Sequence, residues 1–161
     1  EDILAYENIS VEKALGSLVA KNDIKVSFVE SITGGLLSSL LVKNPGISKY
    51  FIGTDVVYGN LAKSKLLNDN DIDFENWEEL VVNLTHSSLE KYKTDICLTI
   101  LGEAGPLSSS KYTVGTIFIC ISNGDKTVIT DHKMNGNREE ILQRSANKAQ
   151  WELIKFIKNL Y

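Results

Sequence analysis

Apolar positions recur along this chain with two different periods, and the changes of period divide it into elements. Over residues 9–21, Val11, Ala14, Leu15, Leu18 and Val19 fall at helical spacing, with Ser10 or Asn8 available as a cap, and Asn22-Asp23 ends the pattern. Residues 24–29 alternate Ile24, Val26 and Phe28 with Lys25 and Ser27 before adding Val29, as in a strand becoming buried on both faces. A polar turn and a leucine-rich helix from about Gly34 to Val42 follow, stopped by Asn44-Pro45-Gly46. Residues 50–58 read as a second strand in which Gly53 marks a bend or a close approach. A short helix is predicted from Asn60 to Leu67, then an acidic loop over 68–73. A helix from Asn76 through Lys91 comes next, with Trp77, Leu80, Val81, Leu84 and Leu89 on its inner face. Residues 95–101 form a third strand and 113–122 a fourth, which Asn123-Gly124 turns back antiparallel over 126–132. Asn137 with Glu140 three residues later predicts a capping box. The long final helix carries Ile141, Ala146, Ala149, Leu153, Phe156, Ile157 and Leu160 on one side.

Strands alternating with helices, plus one hairpin, predict an α/β fold: a three-layer α/β/α sandwich with a mixed, mostly parallel sheet and one antiparallel hairpin. No repeat or second domain interrupts it, so residues 1–161 are expected to form a single domain.

Composition adds exclusions. A net charge of −4 and a pI of about 5.2 argue against a nucleic-acid partner, though an anionic small ligand needs only local positive charge. No apolar run approaches the ~20 residues of a membrane span, and no signal-peptide pattern opens the sequence, so a cytoplasmic protein without a membrane partner is expected. Cys97 and Cys120 both lie in apolar runs and read as buried free thiols. No Cys/His spacing suggests a metal, and no cofactor is expected.

Three stretches could carry chemistry, and each has an ordinary structural explanation beside the functional one. Glu30-Ser31-Ile32-Thr33-Gly34-Gly35 sits where a strand gives way to a helix. There Ser31 could be a nucleophile and the helix-end amides an oxyanion or phosphate site, or the turn could be a simple cap. In Tyr58-Gly59-Asn60-Leu61-Ala62-Lys63, a lysine one turn into a helix could point back over the sheet edge. Neutral lysine could then act as the base that a serine requires; a solvated surface lysine is the alternative. The glycine- and serine-rich loop over 102–110 could approach a ligand or merely connect strands; it matches neither a P-loop nor a dinucleotide motif. Arg138, in the first turn of the last helix, could grip a phosphate or be a surface charge. His86 and His132 give no motivated triad.

In this order the segments resemble the CinA C-terminal domain family over nearly the whole chain. The resemblance rests on Val29-Glu30-Ser31-Ile32-Thr33-Gly34-Gly35-Leu36, on Asn44-Pro45-Gly46 with Tyr50-Phe51 and Gly53, and on Val57-Tyr58-Gly59-Asn60-Leu61-Ala62-Lys63. Gly102, Ala104-Gly105-Pro106, Val114-Gly115-Thr116 and Gly136-Asn137-Arg138-Glu139-Glu140-Ile141 extend it. It implies a nicotinamide mononucleotide deamidase, an amidohydrolase that works without a metal, acts on a small nucleotide and forms a homo-oligomer. By that resemblance Ser31 is the nucleophile, Lys63 its base, and Tyr58 stands with them. Glu30, Thr33, Gly34, Gly35, Asn60, Gly102, Gly105 and Arg138 are the substrate-binding positions. The chain departs from the family pattern at Leu101 in place of threonine, at Glu103 in place of isoleucine, at Leu107-Ser108-Ser109-Ser110 in place of glycines, and at Leu142 in place of a second arginine. If it faces the site, Glu103 is expected to oppose a phosphate. These departures motivate the alternative of a catalytically silent nucleotide-binding or interaction domain.

Overall fold

The computed structural model describes residues 8–161, so the first seven residues of the domain expected over 1–161 lie outside the described residues. In chain order the elements are α1 (Val11–Lys21), β1 (Val26–Glu30), α2 (Leu36–Leu41), β2 (Phe51–Val56), α3 (Asn60–Leu67), α4 (Trp77–Tyr92), β3 (Ile96–Gly102), β4 (Thr116–Ser122), β5 (Thr127–Lys133) and α5 (Arg138–Leu160). A short 3-10 turn, Ile47–Lys49, which the apolar pattern does not announce, leads into β2.

The strands form one sheet in the order β2-β1-β3-β4-β5. β1 pairs in parallel with β2 and with β3, while β3 with β4 and β4 with β5 are antiparallel. The sheet is mixed as expected, with its pairings divided evenly between the two kinds. The Asn123-Gly124 hairpin is present, and Gly124 takes the positive φ of +93° that the turn demands. β4 starts three residues later than its β-branched run suggests. Gly115, at φ +92°, bends the chain there, donating to Glu103 O while its own carbonyl accepts from Met134 N.

Alternation along the strands fills both faces. Val26, Phe28, Leu98, Ile100, Ile117 and Ile119 point into a core shared with α1, α2 and α5. Val29, Cys97, Leu101, Phe118 and Cys120 point into a second core shared with α4. Both cysteines are free and buried. Small hydroxyl side chains bring α4 close to the sheet: Thr85 donates to Thr99 at 2.7 Å, and Ser27 bonds Ser88 and Thr94 at 3.1 and 2.9 Å. The register slip between Val26 and Ser27 on β1 and Phe51 and Gly53 on β2 accommodates an extra residue. A Cβ on Gly53 would stand 3.3 Å from Tyr92, so the expected close approach is against α4. The capping box forms, Asn137 Oδ1 accepting from Glu140 N at 3.0 Å, and it fixes where α5 starts and therefore where Arg138 stands. No described helix is long and apolar enough to cross a membrane.

Gly16 shows how closely α1 meets the α2 connection. A Cβ there would fall 2.5 Å from Asn44 Cγ, and the Asn44 amide is already donating to Glu12 O and Leu41 O. Helix propensity alone favours alanine at an interior glycine by about 1 kcal/mol. Because the Asn44 amide must move and lose both bonds, Gly16→Ala is expected instead to destabilise the protein by about 1–3 kcal/mol in urea unfolding.

Candidate functional site

The strand period decides what faces what at the end of β1. Val26, Phe28 and Glu30 share one face, and Glu30 therefore points under α2 and is wholly buried. Its carboxylate accepts from Thr33 Oγ1 at 2.7 Å, Leu37 N at 2.9 Å, Ser38 N at 3.1 Å, Ser38 Oγ at 2.5 Å and Thr54 Oγ1 at 3.4 Å. An anion at a helix N-terminus is favourable there, and here the protein supplies its own. The expectation that Glu30 and Thr33 bind substrate is thus corrected: they are tied to each other beneath the turn. Gly34 and Gly35 do not line the cavity either. They take φ of +58° and +105° and let the chain turn into α2, and neither is crowded where its Cβ would be. The α2 amides expected to meet a ligand are held by Glu30. Among the described residues, the turn amides of Ile32 and Thr33 have no acceptor.

Ser31 has the opposite parity. Its amide continues the sheet by donating to Ile100 O at 3.1 Å, and the residue lines a cavity of about 360 Å³. That volume is within the range of small-ligand sites. Lys63 lines the same cavity from the first turn of α3. It is only 6% exposed, and its Nζ donates to Tyr58 O at 3.1 Å. No carboxylate pairs with it among the described residues, and burial lowers its pKa from 10.5 to about 8. Ser31 and Lys63 share the cavity wall but are not hydrogen-bonded to each other.

Arg138 closes one side of the cavity. Its Nη1 donates to Gly105 O at 2.6 Å and its Nη2 to Tyr58 Oη at 2.9 Å. Tyr58 and Asn60 are exposed at the rim. Gly102 and Gly105 also line the cavity, but crowding within the protein is what demands glycine at each. A Cβ on Gly102 would meet Ile32 Cδ1 at 2.5 Å, and one on Gly105, at φ +79°, would meet Val114 Cγ1 at 2.6 Å.

Ser31, Lys63, Tyr58, Asn60, Gly102, Gly105 and Arg138 are therefore gathered around one cavity, while Glu30, Thr33, Gly34 and Gly35 lie behind it. The opposite wall joins a stretch that the sequence does not announce to the 102–110 loop that it does. Phe74, Glu75, Trp77 and Leu80 come from α4 and the segment before it, and Leu107, Ser109 and Ser110 from the loop after β3. Trp77 reads as an ordinary core position at helical spacing, which it also is, stacked on Tyr112 at 4.2 Å. Of the departures, Leu101 is buried at the cavity wall and Leu142 packs against the first core. Glu103 does face the cavity, and both its oxygens accept from Ser109: Oε2 from the amide at 2.6 Å and Oε1 from the hydroxyl at 2.9 Å. Neither histidine lines the cavity.

Comparison with known proteins establishes the family and the fold. Residues 8–157 match the CinA C-terminal domain. The chain belongs to the CinA C-terminal domain family. A CinA-like protein of Petrotoga mobilis is 32% identical over 157 residues, and one of Pseudothermotoga lettingae 35% identical over 127 residues. These alignments cover 94% and 76% of this chain but only 39% and 31% of those proteins' own lengths. Among solved structures, a CinA superfamily protein from Klebsiella pneumoniae superposes with a TM-score of 0.86 at 18% identity, covering 92% of this chain and 96% of that one. A competence or damage-inducible protein from Enterobacter asburiae gives 0.83 at 22%, covering 93% and 99%. At those identities the likeness establishes the fold, so the CinA-type α/β sandwich is the architecture of this chain.

The role of Glu30 is testable by one isosteric change. Glu30→Gln leaves a single acceptor oxygen for several donors and is expected to lower the unfolding free energy by about 1.5–3 kcal/mol in urea titration. A change within 0.5 kcal/mol would mean the carboxylate contributes little to holding α2.

Proposed function

We propose that this chain is an amidohydrolase that acts on the carboxamide of a pyridine mononucleotide, converting nicotinamide mononucleotide and water to nicotinate mononucleotide and ammonia. The observation that supports it best is a buried lysine, without a carboxylate partner and with its pKa lowered to about 8, on the wall of the same cavity as a strand-end serine. Neutral Lys63 takes the Ser31 proton as Oγ attacks the amide carbon. The amide of Ile32, which follows the nucleophile, lines the cavity and has no acceptor among the described residues, is the donor available to the oxyanion. Lysine then returns the proton to the departing ammonia, and a water, deprotonated by the same amine, releases the acid from the serine ester. Tyr58 O gives Nζ an acceptor that leaves the lone pair of the neutral amine unengaged. Arg138 is the cation available to a phosphate, displacing its present bonds to Tyr58 Oη and Gly105 O.

One observation favours a second reading, a binding domain without turnover: no hydrogen bond joins Ser31 to Lys63. Catalytic hydrogen bonds are often formed only with substrate in place, so this weighs less than the buried amine.

The assay is ammonia release from nicotinamide mononucleotide. Ser31→Ala is expected to abolish it, and Lys63→Met, which keeps the buried stem, to lower kcat by about 10²–10⁴-fold with an unchanged circular dichroism spectrum. No release above the Ser31→Ala background would leave the binding-domain reading in its place.

The pH dependence has a definite sign. The base works unprotonated, so kcat/KM is expected to rise by about tenfold per pH unit well below the Lys63 pKa and to level off above about 8. A rate that is flat from pH 6 to 9 would remove Lys63 as the base.

A further inference from the structure

Glu103 is the feature of this cavity that the proposed reaction leaves unused. It is 8% exposed, faces the cavity, and is held in place by the Ser109 amide and hydroxyl. No cationic side chain bonds it among the described residues. Each carboxylate oxygen carries two lone pairs and accepts from one donor among the described residues, so each keeps further capacity to accept or to meet a cation. The charged groups lining the cavity are the cations Lys63 and Arg138 and the carboxylates Glu75 and Glu103. Of the two carboxylates, Glu75 is exposed at the rim and accepts from Lys111 N at 2.9 Å.

Position along the chain orders these charges. Glu30 is the register partner of Ile100, so Ser31, one residue on, lies at the level of Leu101. Two residues past Leu101 comes Glu103. Two more reach Gly105, whose carbonyl accepts from Arg138. By chain position, then, the cavity-lining groups along this loop are Ser31 at the level of Leu101, next Glu103, and next the Gly105 carbonyl that holds Arg138. A pyridine mononucleotide amide presents a carboxamide, then a ring cation, then a phosphate. The carboxylate that would oppose a phosphate placed beside it is favourable when the ring cation lies there. Trp77, stacked on Tyr112, also lines the cavity and makes part of its wall aromatic.

We infer that Glu103 is the counter-charge for a cationic ring, so that the site selects oxidised pyridinium nucleotide amides over their neutral dihydro forms. This rests on the proposed amidohydrolase reading and names the ligand class within it. Glu103 is a specificity residue for that ring, and Ser109 is the residue that positions it.

The test is equilibrium binding by calorimetry in the Ser31→Ala protein, where no turnover occurs, with nicotinamide mononucleotide and its 1,4-dihydro form as the two probes. The oxidised nucleotide is expected to bind about tenfold more tightly, the equivalent of ~1.4 kcal/mol. Adding Glu103→Gln is expected to erase that preference by weakening the oxidised form and leaving the dihydro form unchanged. Ser109→Ala, which removes a donor but no charge, is expected to retain it. Equal affinities for the two probes, a preference that survives Glu103→Gln, a loss as large in Ser109→Ala, or no binding of either probe would each overturn the inference. Should Glu103→Gln not fold, Glu103→Ala takes its place with the same expected loss of preference, and equal affinities with Glu103 intact overturn the inference without either variant. A preference for the oxidised form without ammonia release from the unsubstituted protein overturns the reaction and keeps the inference. Ammonia release with equal binding does the reverse.

Discussion

One buried carboxylate organises the cavity end of this molecule. Glu30 is the last residue of the interior strand β1 and accepts hydrogen bonds from the turn, from the first turn of α2 and from Thr54 on β2. A charge removed from water is costly unless its lone pairs are used, and these donors use them. The same bonds lock the turn that carries Ser31. They also consume the α2 amides that a ligand would otherwise meet, which leaves the earlier turn amide of Ile32, at the cavity wall, without an acceptor among the described residues. The geometry of the serine is in this sense set from behind.

The cavity's location follows from the strand order. β1 lies between β2 and β3, and the chain leaves β1 towards α2 on one face but leaves β2 towards α3 and α4 on the other. Where successive connections part to opposite faces, the carboxyl ends of parallel strands are left uncovered. The segments carrying Ser31, Lys63 and Glu103 converge there, and α5 starts at its capping box with Arg138 turned to the same place.

Most of the fold was legible in the chain, because alternation and punctuation agree. Val26 to Glu30, Ile96 to Gly102 and the Asn123-Gly124 hairpin could hardly be read otherwise. Residues 113–115 were misread as strand because β-branching says nothing about the left-handed bend at Gly115. Within the site, Ser31 and Lys63 were readable because each sits at a strand-to-helix transition. The misassignment of Glu30 was avoidable: counting in twos from Val26 puts it on the α2 side and Ser31 on the other. The wall made by Phe74, Glu75 and Trp77 was not readable, since it exists only once α4 has packed across β3 and β4. Glu103 was visible as a departure, but its Ser109 anchor depends on the loop folding back on itself.

Tyr58 does two jobs with two different parts of itself. Its main-chain carbonyl holds the Lys63 amine, and its phenol takes the Arg138 guanidinium. A carbonyl is present whatever residue occupies position 58, whereas a phenol is not. Sequence drift at that position can therefore retune the Arg138 end of the cavity while leaving the anchor of the amine intact. The fold has separated what must be kept from what can be varied within a single residue.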